Sequence, residues 1–155
     1  MHVLTIDKRA QILNCLVEGC SMRSTARLTS TAKKTVERLL VAAGKACFEQ
    51  HDKLMRNLSC RVLQVDEIWS FCACKESNVP QEMKGQVIAG DTWLWVALDA
   101  ESKLIPAYHV GARGAGDANW FISDLASRLK RRVQLTSDGL GSYTNAIENA
   151  FGSET

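Results

Sequence analysis

Two aspartates in the second half of this 155-residue chain, Asp66 and Asp138, stand in or just after short strand-like runs. Asp66 falls within Arg61-Val62-Leu63-Gln64-Val65-Asp66-Glu67-Ile68-Trp69-Ser70, whose β-branched and aromatic residues predict a strand. A charge inside such a strand needs a partner, a metal or a place at the strand's open end. Asp138 follows a second short strand, Val133-Gln134-Leu135-Thr136, within Ser137-Asp138-Gly139. Two carboxylates brought close together repel each other, and Mg²⁺ or Mn²⁺ relieves that repulsion. Paired metals can activate a water or a 3′-hydroxyl and stabilise the leaving oxygen in an in-line attack on a phosphodiester. Asp66 and Asp138 are candidates for that chemistry if the fold brings them together.

The elements that must position them follow from pattern. After the first strand comes a loop from Lys75 to Gly90 that holds Pro80 and Gly85. Thr92 to Leu98 and Lys103 to Val110 are apolar runs separated by the polar turn Asp99-Ala100-Glu101-Ser102, which predicts a β-hairpin. Residues 111–116, GARGAG, lack the GK[ST] ending of a phosphate-binding loop and read as a flexible connection. Asp117 can cap the helix that follows, whose buried face is Phe121, Ile122, Leu125 and Leu129; Lys130, Arg131 and Arg132 suit the dipole at its end. Tyr143, Ile147 and Phe151 recur at i+4 and predict a last helix.

The order strand with Asp, hairpin, helix, strand with Asp matches the opening of the RNase H-like fold. In that fold the first and fourth strands are neighbours, so Asp66 and Asp138 would project together. The blocks VDEIWSF, GDTWLWVALDAESKLIPAYHVG and LTSDGLGSY resemble the DDE transposases of small bacterial insertion sequences, most of all the IS-one type. The resemblance covers nearly all of 61–155. It implies that Asp66 and Asp138 are the first two metal-binding acids and that Asp99, at the hairpin, is not catalytic. It also implies transposon-end and target DNA as partners, and a homo-oligomer. The family's third acid is a Glu on a later helix. Glu148 and Glu154 read as surface carboxylates, so the set of acids is expected to be incomplete here. A chain truncated at that point would lack the rest of its sheet and be expected to show poor stability or activity alone.

The first half is of a different character. Residues 1–60 carry ten Lys/Arg against five Asp/Glu, a net of +5; residues 61–155 carry nine against twelve, a net of −3. A basic front suits a polyanion, and an acidic back suits cations. Ile6, Ala10, Leu13 and Val17 share one face of a helix that Thr5 caps and Gly19 ends. Ser21 caps a short second helix through Arg23, Ala26 and Leu28. A third takes Val36, Leu39, Leu40 and Ala43 as its buried face.

The stretch EGCSMRSTARLTSTAKKTVERLL resembles the helix-turn-helix of many bacterial recombinases and regulators. The resemblance puts Lys33, Lys34, Thr35 and Arg38 on the exposed side of the recognition helix, where they can reach phosphates or base edges of double-stranded DNA. Ala32 falls at the usual cap position, so the cap is expected from Ser30 or Thr31, and Ser30 occupies the place of the turn's common glycine. A plain three-helix bundle with a solvated basic face is the alternative.

The expected fold class is α/β: a helix-turn-helix three-helix unit (1–45), a helical linker (46–60) with Gly44 as the candidate kink or break before it, and a partial RNase H-like mixed sheet with helices (61–155). The 46% hydrophobic and 23% charged fractions are those of a soluble globular protein. No apolar run approaches the roughly 20 residues that cross a bilayer, and a cytoplasmic protein is expected. The six cysteines read as small, mostly buried hydrophobes, with a metal site at Cys72 and Cys74 as the alternative if both lie on one strand face. Two function classes stay open: a transposase or fragment that cuts and joins DNA, and a catalytically inactive DNA-binding regulator of transposition.

Overall fold

The computed structural model describes residues 4–85 and 89–152. Two compact units divide the chain, Met1–Leu54 and Met55–Thr155. The first is all helix: α1 (Ile6–Val17), α2 (Met22–Leu28) and α3 (Lys33–Leu54). The second holds β1 (Val62–Cys72), β2 (Gly90–Asp99), β3 (Tyr108–Gly111), α4 (Ala115–Arg128), β4 (Gln134–Thr136) and α5 (Ser142–Phe151). The expected α/β class, a three-helix unit ahead of a mixed sheet with helices, is the one observed. Among the described residues no helix is long and apolar enough to cross a membrane.

In the first unit each helix start is local chemistry. The Thr5 hydroxyl accepts from the Lys8 amide at 3.2 Å, and the Ser21 hydroxyl from the Ser24 amide at 3.1 Å. Gly19 takes a φ of +82° beyond α1, and Ser30 takes +48° in the turn between α2 and α3, at the position where such turns commonly carry a glycine. The cap expected at the start of α3 is not made by Thr31, whose hydroxyl instead donates to the Thr29 carbonyl at 3.1 Å. Ile12, Thr25, Thr29 and Val36 form the buried centre of the unit. Val36 is the buried anchor of α3 as expected, but Leu40 is exposed: a helix packed on two short partners buries only the narrow stripe they reach. α3 runs unbroken through Gly44.

The sheet of the second unit has the order β3-β2-β1-β4, with β1–β2 and β2–β3 antiparallel and β1–β4 parallel. This is the strand order of an RNase H-like sheet. Leu63, Val65, Trp95 and Ala97 alternate onto one face and pack against Ala118, Phe121, Ile122 and Leu125 of α4 and Tyr143 and Ala146 of α5. Trp95 is fully buried, with Phe121 and Tyr143 rings 6.0 and 5.6 Å away; its indole N–H donates to the Ala112 carbonyl at 3.0 Å.

Several local expectations change. The second hairpin arm forms a strand only from Tyr108, because Pro106 has no N–H to give the ladder; the Ala107 and Leu104 carbonyls still accept from Ala97 and Asp99. Asp99 is buried and closes the turn, accepting from the Ser102 hydroxyl at 2.5 Å and its amide at 3.1 Å. These bonds, the hydroxyl's first, hold its carboxyl below the usual range. Asp117 does not cap α4, whose N-cap is Gly114; in the first turn it pairs with His109 Nε2 at 2.8 Å. A side chain at Gly111 would strike that pair, since a Cβ there would overlap Asp117 Oδ1. Lys130, Arg131 and Arg132 lie beyond the end of α4. Arg132 donates instead to the Phe151 and Gly152 carbonyls at the end of α5.

Of the cysteines only Cys60 is buried, and all six are free thiols. β1 ends at Cys72, and Ala73 turns with a φ of +56°, so Cys72 and Cys74 do not share a strand face. Between β1 and β2 lie two short 3₁₀ turns, Glu76–Asn78 and Gln81–Met83. Part of the loop expected from Lys75 to Gly90 lies outside the described residues, as does Glu154.

Candidate nucleic-acid and metal site

The register of β1 with β4 brings the two aspartates together. Val62 pairs with Gln134, Leu63 with Leu135 and Gln64 with Thr136. Asp66 stands two residues beyond Gln64, and Asp138 two beyond Thr136. The parallel pairing carries both segments toward the same end of the sheet, with Asp138 in the bend just past the end of β4. Alternation puts Leu63 and Val65 on the helix-covered face of β1, so Gln64, Asp66 and Ile68 take the other. Asp66 and Asp138 line one shallow concavity of about 350 Å³ there, with Gln64, Ile68, Val96, Leu98, Thr136 and Ser137. Both are exposed. The Asp66 Oδ1 accepts from the Glu67 amide at 2.8 Å and the Asp138 Oδ1 from the Leu140 amide at 3.2 Å, which orients each carboxylate.

An all-oxygen, anionic, solvent-open donor pair of this kind fits a hard divalent cation such as Mg²⁺ or Mn²⁺. Among the described residues no three His, Cys, Asp or Glu side chains gather into a metal-binding group. Glu148, on α5, lines a different depression with Arg132, Leu135 and Phe151.

Three residues that the strand and loop patterns did not single out surround this pair. Glu67 follows Asp66 on β1 and therefore points to the opposite, helix-covered face, where its side chain is only 1% exposed. Arg113, from the glycine-rich connection, donates to Glu67 Oε2 through Nε and Nη2, each at 3.2 Å. Its guanidinium lies 4.7 Å over the Trp93 ring and 4.0 Å from Asp138 Oδ2. The segment 111–116 is thus a short, tethered crossing from β3 to α4. Tyr143 completes the group. Burial first, then the Glu67 carboxylate, then Asp138 and Asp66, push its phenol far above the ordinary range. Alternation from Leu63 and Val65 was the signal for Glu67, since an inward-facing Glu must find a cation.

In the first unit, Lys33, Lys34 and Arg38 are exposed on α3 and Thr35 is half-buried. Lys33 is held by Glu37 at 2.8 Å, whereas Lys34 and Arg38 share a shallow depression of about 410 Å³ with Glu37, Val41, Ala42 and Lys45. Lys45 was not among the expected contacts; it falls on the Lys34, Arg38, Val41 stripe by helical spacing.

No protein-family model matches the chain, and no curated protein is similar to it. Among solved structures the chain is similar to the Mos1 transposase paired-end complex with left transposon end, at 15% identity and a TM-score of 0.37. That match covers 96% of this chain, which spans 59% of the length of the other.

Proposed function

We propose that this chain is a transposase, or part of one, of the insertion-sequence DDE class and IS-one type. It binds duplex DNA through α3 and uses Asp66 and Asp138 to hold Mg²⁺ or Mn²⁺ for cutting and joining phosphodiester bonds. The observation that carries the proposal is the parallel β1–β4 pairing with two exposed carboxylates lining one concavity beside it. The resemblance of the VDEIWSF and LTSDGLGSY blocks supports the assignment of those two acids. When bound, the metal supplies charge neutralisation for the attacking and leaving oxygens. The chain's part is to hold the acids at a fixed separation, with one backbone amide bonded to each.

Lys34, Arg38 and Lys45 give α3 a cationic stripe that suits phosphates flanking a groove. Replacing Lys34 and Arg38 with alanine is expected to weaken duplex binding and to lower the slope of log affinity against log salt by about one for each phosphate no longer neutralised. Fluorescence anisotropy with a labelled duplex across a salt series measures both. A slope unchanged by the double substitution would remove α3 as the DNA-contacting surface.

A second reading is a DNA-binding regulator without catalysis. It is favoured by the fact that no third acidic side chain joins Asp66 and Asp138 among the described residues. The two readings separate on Asp66→Ala, which abolishes function in the first and leaves DNA occupancy and function untouched in the second.

A further inference from the structure

We infer that Arg113 is a built-in competitor for the cation at Asp138, and that Glu67 is the positioning residue that holds it off. The inference rests on the metal site proposed above. Glu67 is not a third ligand beside Asp66: adjacent strand residues face opposite ways, and the Glu67 side chain is 99% removed from solvent on the helix side. A carboxylate buried so far is costly without a counter-charge, and Arg113 supplies it through two N–H groups on the same oxygen. The Trp93 ring, 4.7 Å from the guanidinium carbon, braces the group from its face.

The Nη2 of that guanidinium also lies 4.0 Å from Asp138 Oδ2, at the outer limit of an ion pair, while Asp138 stays half-exposed. The arginine is thus tied closely to Glu67 and reaches Asp138 only at the edge of ion-pair range. Remove the Glu67 charge, and the nearest remaining carboxylate for Arg113 is the one the metal needs. Remove Arg113, and a positive charge that repels an incoming divalent ion disappears. The two substitutions therefore act on metal affinity with opposite signs, and the effect of Glu67 disappears once Arg113 is gone, which two independent charges near the ion would not produce.

The test is a Mn²⁺ titration of the full 155-residue chain, with free ion followed by electron paramagnetic resonance. It uses the wild type, Arg113→Gln, Arg113→Lys, Glu67→Gln and the Glu67→Gln/Arg113→Gln double variant, with Asp66→Asn as the control for the site. Arg113→Gln is expected to tighten Mn²⁺ binding about three- to tenfold, the size of one nearby charge in a solvent-open site. Glu67→Gln is expected to weaken it by a similar factor, and the double variant to follow Arg113→Gln, because Glu67 acts only through the arginine. Arg113→Lys keeps the charge and should not tighten binding; a gain there equal to that of glutamine overturns the inference. So does an Arg113→Gln affinity equal to or weaker than the wild type's. Thermal melting without metal identifies variants that fold, and if Glu67→Gln fails to melt cooperatively, the two Arg113 variants decide alone. Binding unaffected by Asp66→Asn sinks the proposed metal site and the inference with it. Binding that needs Asp66 but ignores Arg113 sinks the inference only.

Discussion

Replacing Trp95 with alanine is expected to cost the Met55–Thr155 unit about 3–5 kcal/mol, more than any other single truncation in its core. Trp95 is fully buried at the centre of the sheet's covered face, and its ring is the common neighbour of Phe121 on α4 and Tyr143 on α5. The substitution removes the packing that joins the strand to both helices. It also strands the Ala112 carbonyl that the indole N–H satisfies. Against a total stability of about 5–15 kcal/mol for a domain, this is a large fraction. Trp95→Phe keeps most of the apolar volume and loses the hydrogen bond, so its cost should be nearer 1–2 kcal/mol, roughly the worth of one such bond plus a small void. Urea denaturation followed by circular dichroism checks the order. Equal midpoints for the two variants would show that Trp95 does not tie the helices to the sheet.

Asp66→Ala is expected to abolish metal-dependent cleavage of DNA, a fall of about 10³-fold or more, because acids that act as one unit fail together when one is removed. The loss should be in the chemical step. Asp66 lies on β1 in the second unit, and the candidate DNA-contacting side chains Lys34 and Arg38 lie on α3 in the first. Nicking of supercoiled plasmid in Mg²⁺, measured beside duplex affinity for the same preparations, separates the two effects. A variant that binds as the wild type does but no longer nicks supports catalysis at Asp66. Wild-type protein that binds duplex and shows no Asp66-dependent nicking supports the regulator reading.

How far the residues announced this arrangement depends on the range of the interaction. Caps were legible at Thr5 and Ser21 because an N-cap is a bond between residues three apart. The spacing of Phe121, Ile122 and Leu125 marks the inner face of α4. The pairing of Glu67 with Arg113 spans 46 positions and left no local trace, since an arginine between glycines looks like any exposed loop cation. Lys130 to Arg132 misled for the same reason: their proximity to the end of α4 suggested its dipole, whereas Arg132 finds carbonyls 19 and 20 residues on. Cysteine burial was overstated because hydrophobicity alone takes no account of a strand that runs past its covering helices. Cys72 lies at such an overhang, near Thr92.

The most direct test of the central claim, that Asp66 and Asp138 jointly hold one divalent cation site, is Mn²⁺ affinity in wild type, Asp66→Asn, Asp138→Asn and the double variant. Each single substitution removes a charged ligand and should weaken binding by at least about tenfold, on the scale of one lost close charge. The double variant should bind at least as weakly as either single one, because both carboxylates act on the same ion. Equal affinity in all four proteins, or two bound ions in the wild type of which each single substitution removes only one, would contradict the account.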